Sequence, residues 1–264
     1  MTPEVERINK RLRLGRPVTS RPVQLTTARI RDRRVIFCTD MENDPIQRNH
    51  RRGQFYEAKE LAGLAELFPT GGTFVDIGAN VGNHSLYAAL FLGAARVIAF
   101  EPNPLAYRLL VQNVLVNGLE EVIDLSRLGV GVGAREEGGY SMERRRRNLG
   151  GAKMLPGDSG KLRVLPGDTL LEGEVPALIK IDVEGMEMPV LAGLEATIAA
   201  HRPALLVEVD NENETAFRQW AADAGYEIAD TVQRYRLNKN HLLLPATVSK
   251  ARPKTRRARS GKAA

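Results

Sequence analysis

The chain has 264 residues, of which 43% are hydrophobic, and a single cysteine, Cys38. That length suits one domain with a full core plus short extensions; the lone thiol excludes an internal disulfide and a cysteine-built zinc site, so a reducing, cytoplasmic setting is the expectation. No apolar run approaches the roughly 18 residues of a membrane span, and the charged opening MTPEVERINKRLRLGRP lacks the apolar stretch of a secretory signal.

The formal net charge of +6 is unevenly placed. Residues 1–34 hold ten Lys/Arg against three acids, and residues 249–264 hold seven Lys/Arg and no acid, which leaves an acidic stretch between two basic ends. The expected organisation is a basic leader over 1–45, a folded domain over 46–247 and a disordered basic tail over 248–264. Within the leader, Arg34 to Thr39 (RVIFCT) is a strand candidate.

Phe55 to Leu67 has apolar residues at helical spacing and is ended by Pro69 and the Gly71–Gly72 pair. Alternation then begins. Thr73 to Ile77 is a short apolar strand, Asn83 to Leu92 a helix closed by Gly93, and Arg96 to Phe100 a second strand. Asn103 and Pro104 stand as N-cap and first residue of a helix that runs to Asn117, with Gly118 as its stop. Further strands are expected at Val122 to Leu128, Leu178 to Val183 and Ala204 to Val209, with helices over 187–200 and 214–224. Two closing strands, near 226–232 and 234–244, have no helix between them and are expected to pair as a hairpin. Residues 129–170, glycine-rich and basic, show no clear element and read as an irregular insertion of the lid or substrate-loop kind.

Strands that alternate with helices in this way predict an α/β, doubly wound, Rossmann-like fold with helices on both faces. Ligands of such folds sit beyond the carboxyl ends of the strands. The places to inspect are therefore Asp76 to Gly82, Glu101, Leu128 onward, Asp182 to Gly185 and Glu208 to Asp210, and four of these five carry acids.

The segment Val75 to Gly82 (VDIGANVG) follows a strand and opens a helix. Gly78 permits a tight turn and Gly82 a close backbone approach. A dinucleotide loop would read GxGxxG, with bare amides for the pyrophosphate; here Asn80 takes the place of the middle glycine and Asp76 adds an anion. That disfavours an NAD-dependent oxidoreductase and suits a ligand bearing an ammonium and a sulfonium, as S-adenosylmethionine does. Glu101, at the end of the next strand, is placed to accept hydrogen bonds from ribose hydroxyls. On the strand Leu178 to Val183, alternation puts Lys180 and Asp182 on one face. Polar groups on so apolar a strand are either used by the site or paired with each other, as Lys180–Asp182 or Lys180–Glu184.

Taken together, VDIGANVGNHSLYAA, FEPNP, NVLVNG, LIKIDVEGMEMPVL and LLVEV resemble the FkbM-type methyltransferases, class I S-adenosylmethionine-dependent enzymes. The resemblance spans roughly residues 46–245 and includes FYE at Phe55 to Glu57 and NHLLLP at Asn240 to Pro245. It implies a mixed sheet of about seven strands with a reversed last strand. It also implies that Asp76, Gly78, Ala79, Asn80 and Gly82 hold the methionine part of the donor, Glu101 the ribose with Asn103 nearby, and that Asp182 sits beside the methyl. Asn148 to Gly151 (NLGG) is similar to the family's stretch after the third strand. The activity implied is methylation of a hydroxyl on a sugar or small metabolite.

A neutral hydroxyl needs a base. Asp182 and Glu184 rank first, ahead of Glu208 and His84, and Lys180 is expected to position the acceptor or a carboxylate. Asp182, Glu184 and Glu208 could gather around a hard cation, although no metal site is expected. The alternatives are an RNA- or DNA-directed methyltransferase that uses the basic ends and the Arg144 to Arg147 run, and a non-catalytic S-adenosylmethionine-binding protein. No membrane partner is expected.

Overall fold

The computed structural model describes residues 22–246 without Arg144, Arg146 and Arg147, together with Glu6, Lys10, Arg11, Arg13 and Leu14. The basic tail, most of the basic leader and the Arg144 to Arg147 run apart from Arg145 lie outside the described residues.

The central strand is Thr73–Ile77 (β3). Successive side chains of a strand point to opposite faces, and both faces are covered: Phe74 packs into one apolar cluster, Val75 and Ile77 into another. This double burial is why the strand reads as an unbroken apolar run. Asn83–Tyr87 (α3) follows, continues as a wider turn over Ala88–Leu92, and closes at Gly93 in the left-handed region. Two earlier helices, Pro45–Arg51 (α1) and Ala58–Gly63 (α2), precede it. Then come Arg96–Phe100 (β4), Pro104–Val116 (α4) and Ile123–Asp124 (β5). The Asn103 side chain accepts from the Leu105 amide at 3.0 Å, so α4 starts at the expected cap.

The return half of the sheet is Pro176–Ile181 (β9), Ala204–Asp210 (β10), Tyr226–Val232 (β11) and Asn238–Pro245 (β12). The seven strands lie in the order β11-β12-β10-β9-β3-β4-β5. All neighbours from β10 to β5 are parallel, and β12 runs antiparallel to both β10 and β11. The closing hairpin and the reversed last strand therefore stand as expected. The chain winds outward from β3 to β5 and restarts at β9 on the other side of β3. That reversal opens a crevice above the ends of β3 and β9, where ligands of doubly wound sheets bind.

Residues 129–170 depart from the expectation. They are not an irregular insertion: Val130–Gly133 (β6), Glu137–Met142 (β7) and Met154–Pro166 (β8) form a sheet of order β6-β8-β7, followed by the short helix Gly167–Leu170 (α5). The glycines that read as loop serve close packing. A Cβ on Gly160 would lie 2.2 Å from the Tyr140 carbonyl oxygen, at a place where the β7–β8 register shifts.

Smaller differences have local causes. Of Val122 to Leu128 only Ile123–Asp124 pairs, because Asp124 accepts from the Ser126 amide at 2.8 Å and turns the chain. The helix expected over 187–200 is two, Glu187–Gly193 (α6) and Glu195–His201 (α7); Gly193 abuts β6 so closely that a Cβ would lie 1.8 Å from the Gly133 carbonyl oxygen. Glu214–Asp223 (α8) completes the helices on the sheet.

The leader contributes two strands, one more than the single candidate at Arg34 to Thr39. Gln24–Ile30 (β1) pairs with Arg33–Thr39 (β2) in a separate hairpin. The hairpin is fixed to α4 by side-chain amides: Asn113 Oδ1 accepts from the Cys38 amide at 2.7 Å, and Asn117 bonds both ways to the backbone of Ile36. Among the described residues no helix is long and apolar enough to cross a membrane.

Candidate active site

The turn after β3 is set by its backbone. Gly78 lies at φ 82° and Asn80 at φ 51°. A Cβ on Gly78 would sit 1.8 Å from the Asp182 carbonyl oxygen, so that position tolerates only glycine. The amides of Gly78 and Ala79 both donate to the Phe100 carbonyl at 2.9 Å, and the Asn80 amide donates to Glu101 Oε2 at 2.7 Å. These N–H groups are committed, so the loop offers no bare amide cradle for a pyrophosphate.

Glu101 is buried at the end of β4, and its Oε1 accepts from the Asn103 amide at 2.7 Å. Burial pushes its carboxyl up to about 7, against the pull of those two amides. Each oxygen has accepted one hydrogen bond and keeps room for another.

β9 stands beside β3 with Asp76 opposite Lys180. Both are buried. Lys180 Nζ lies 3.2 Å from Asp76 Oδ1 and 3.5 Å from Asp182 Oδ2, and donates to the Gly78 carbonyl at 2.7 Å. The other Asp76 oxygen accepts from Ser85 Oγ at 2.6 Å. Burial opposes the ammonium, yet Asp76 and Asp182 outweigh it and hold Lys180 above the ordinary lysine range. Asp76 therefore touches Lys180 and Ser85, and its charge reaches the crevice through Lys180.

Two chambers meet here. One is bounded by Ile77, Phe100, Glu101, Val130 to Val132 and Met154. Its apolar walls come largely from the three-stranded sheet and suit a flat aromatic ring. The other is lined by Glu57, His84, Lys153, Glu208, Asp210 and Asn238, among others. Gly78, Asn80, Gly150, Asp182 and Glu184 border both. The structure thus brings together Gly78, Asn80, Glu101, Asp182, Glu184, Lys180, Glu208 and His84. Gly82 and Asn103 shape the turn and the α4 cap behind them. Asn148, Gly150 and Gly151 line the second chamber, and the Leu149 amide between them anchors the stretch by donating to Asp44, the N-cap of α1, at 2.9 Å.

The second chamber is strongly acidic. Asp182, Glu184 and Glu208 each place a carboxylate oxygen within 4.8 Å of the others, a spacing a hard cation accepts. Burial first, and then repulsion from Asp182 and Asp210, pushes Glu184 up to about 7. Burial and the charges of Asp182 and Glu184 push Glu208 up to about 9. His84 is pulled down to about 4 by burial and Lys180, so it is neutral near pH 7.

Glu57 carries no role that its sequence context predicts, yet it faces this chamber. Asn83 pins it there: Asn83 accepts from the Tyr56 amide at 2.9 Å and donates to the Tyr56 carbonyl at 3.0 Å. Glu57 lies 3.6 Å from His84 Nε2 and 3.6 Å from Arg234. The FYE motif marked the place; the contact that aims it is non-local. Of five non-glycine residues at positive φ among the described residues, Glu57, Asn80 and Glu184 line this one chamber. Strained backbone concentrates where side chains must be aimed.

The described geometry fits S-adenosylmethionine: an apolar slot beside an acid, a loop without a phosphate cradle, and a buried Asn80 Oδ1 with no hydrogen-bond partner among the described residues. Comparison with known proteins agrees. The methyltransferase FkbM domain profile matches residues 76–228, more than half of the chain. Over 123 residues the chain is 36% identical to hexuronic acid methyltransferase AglP of Haloferax volcanii, covering 45% of this chain and 48% of AglP. The chain thus spans about half the length of that curated relative. Methyltransferase FkbM from Methylobacillus flagellatus superposes with a TM-score of 0.48 at 19% identity, over 70% of this chain and 51% of that one. The m1A22 tRNA methyltransferase TrmK of B. subtilis superposes at 0.47 with 18% identity, over 73% of this chain and 68% of that one. The profile match begins at Asp76 and takes in Glu101, Asp182, Glu184 and Glu208, and on it the chain belongs to the FkbM methyltransferase family.

Proposed function

We propose that the enzyme methylates a hydroxyl oxygen of a sugar or small metabolite. The observation that carries this reading is the carboxylate-lined chamber that opens onto the donor groove at Gly78, Asn80, Asp182 and Glu184. Carboxylates accept hydrogen bonds from hydroxyls and take protons from them. A sugar acceptor is further supported by AglP, which acts on a hexuronic acid.

In this reading the turn from Gly78 to Gly82, with Ala79 and Asn80, holds the methionine part of the donor, and Glu101 with Asn103 behind it receives the ribose. Bound S-adenosylmethionine supplies a methyl group already activated on a sulfonium. The residues are left with orientation and proton removal. Asp182 faces the reacting centre. Glu184 takes the hydroxyl proton: its carboxyl, near 7, is matched to neutral pH. Lys180 is a positioning residue that ties Asp76, the Gly78 carbonyl and Asp182 together.

The test is a transfer assay with labelled donor against sugars, hydroxylated metabolites and RNA, run with wild type and Glu184→Gln. Label is expected on a sugar or metabolite oxygen. Glu184→Gln is expected to lower kcat by about 10²–10⁴-fold with little change in KM. Label that appears only in RNA overturns the acceptor class, and full turnover by Glu184→Gln removes it as the base.

A further inference from the structure

We infer that Asp44 is a positioning residue of the donor site: its carboxylate latches the loop over residues 148–152 onto the start of α1, and the latch holds Gly150 against Asn80 where the two chambers meet. This goes beyond the choice of acceptor and rests on the placement of the donor at Asn80 proposed above.

Asp44 stands well ahead of residues 76–228, the stretch that the family profile matches. It is fully buried, and a buried carboxylate is costly unless hydrogen bonds reach it. Two backbone amides do. Oδ1 accepts from the Gln47 amide at 2.9 Å and so caps α1, and Oδ2 accepts from the Leu149 amide at 2.9 Å, across 105 residues of chain. Capping a helix takes one side-chain oxygen, so the second oxygen serves the loop. The frame under Asp44 is fixed in turn. The buried Gln47 side chain accepts through Oε1 from the amides of Asp40 and Met41, at 2.9 Å each.

From Leu149 the constraint reaches the donor. The Leu149 side chain is buried and packs in one apolar cluster with Val81, Ala106 and Leu109, behind the turn that follows β3. The loop is braced internally, because the Gly151 amide donates to Asn148 Oδ1 at 3.3 Å and the Ala152 amide to the Leu149 carbonyl at 3.2 Å. Gly150, between them, borders both chambers. Its backbone comes so near that a Cβ there would lie 2.9 Å from Asn80 Nδ2. The loop thus walls the Nδ2 side of Asn80 and leaves Oδ1, which has no hydrogen-bond partner among the described residues, for the donor.

A helix cap and a latch differ in what their loss does. Loss of a cap lowers stability and leaves the affinity of the folded protein for its donor unchanged. Loss of a latch frees the loop, and the donor must then order it on binding. Linkage makes the effect reciprocal: a latch that favours bound donor is itself favoured by donor binding.

The experiment compares the full chain with Asp44→Ser. Serine caps a helix about as well as aspartate, but it has one oxygen on a shorter side chain, so Gln47 keeps an acceptor and Leu149 loses one. Calorimetry with S-adenosylhomocysteine, at a temperature where both proteins are folded, is expected to show binding weakened about tenfold or more in the variant, within the usual range of coupling between sites. Affinity within about twofold of wild type overturns the inference, since a cap alone predicts that result. Should the variant not fold, hydrogen exchange on the wild type decides. Saturating S-adenosylhomocysteine is expected to slow exchange at the Leu149 and Gln47 amides about tenfold more than at the amides of β11; equal slowing overturns the inference. Asn80→Ala, titrated in parallel, separates the latch from the donor placement. If Asn80→Ala binds weakly and Asp44→Ser binds as wild type does, the latch fails and the placement stands. If Asp44→Ser binds weakly and Asn80→Ala binds as wild type does, the latch stands and the donor does not sit on Asn80.

Discussion

Lys180→Met tests the buried ion pair beneath the site. The substitution keeps the bulk of the side chain and deletes its charge. Asp76 is then left fully buried with the Ser85 hydroxyl as its remaining partner, 2.6 Å away. Breaking a buried pair by removing one member costs about 3–5 kcal/mol, because the other charge is stranded. A domain of this size loses about 2–4 °C in Tm for each kcal/mol, so the midpoint is expected to fall by about 6–20 °C. Asp76→Asn in the same background removes the stranded charge and keeps an oxygen for Ser85, so the double variant should recover part of the loss. Thermal and urea unfolding of the two single variants and the double variant give the coupling directly. A Lys180→Met midpoint within about 2 °C of wild type, or a double variant as unstable as the two losses added, refutes the reasoning.

Other outcomes follow from the same geometry. Glu57 and Glu184 at about 7, and Glu208 at about 9, all stand above their unfolded values near 4.5. The folded state then binds more protons than the unfolded state, so stability falls as pH rises from the unfolded value through these folded values. In the ligand-free protein Tm should decline between pH 6 and pH 9, and Glu208→Gln should flatten the upper part of that decline; a Tm that rises across this window contradicts the assigned burial. Glu101→Gln gives one of two converging backbone amides an NH₂ group to face in place of an oxygen. S-adenosylhomocysteine affinity measured by calorimetry should drop about 10–100-fold, the equivalent of one charge-assisted hydrogen bond. Unchanged affinity would take Glu101 out of the donor site.

Much of this architecture is visible in the chain itself. Thr73 to Ile77, Arg96 to Phe100 and Leu178 to Val183 are short apolar runs between glycine and asparagine signals, and they became β3, β4 and β9. The strand-end rule then placed Asp182, Glu184 and Glu208 in one chamber without any knowledge of their distances. What stayed hidden depends on contacts distant in sequence. Residues 130–166 lack alternation because Gly131, Gly133, Gly139 and Gly160 stand where a Cβ would collide with a neighbour, so strand residues look like loop residues. β1 shows only Thr26, Ala28 and Ile30 as its half-buried face, too weak a pattern to stand out in a basic leader. Glu57 needs Asn83, nearly thirty residues away in sequence, to aim it. The burial of Asp76 could not be read from a motif that places it next to the loop.

The left-handed residues around the second chamber carry a consequence for the evolution of the enzyme. Glycine would relax the backbone at Glu57, Asn80 and Glu184, and each position holds a polar side chain. An L-residue there costs about 1–3 kcal/mol of strain. Three of the five positions among the described residues where glycine would relax the backbone therefore fall on the residues that line the chamber. Selection for robustness alone would erode them, and a lineage that lost the need for the reaction should reveal itself by glycine at 57, 80 or 184 in an otherwise intact fold.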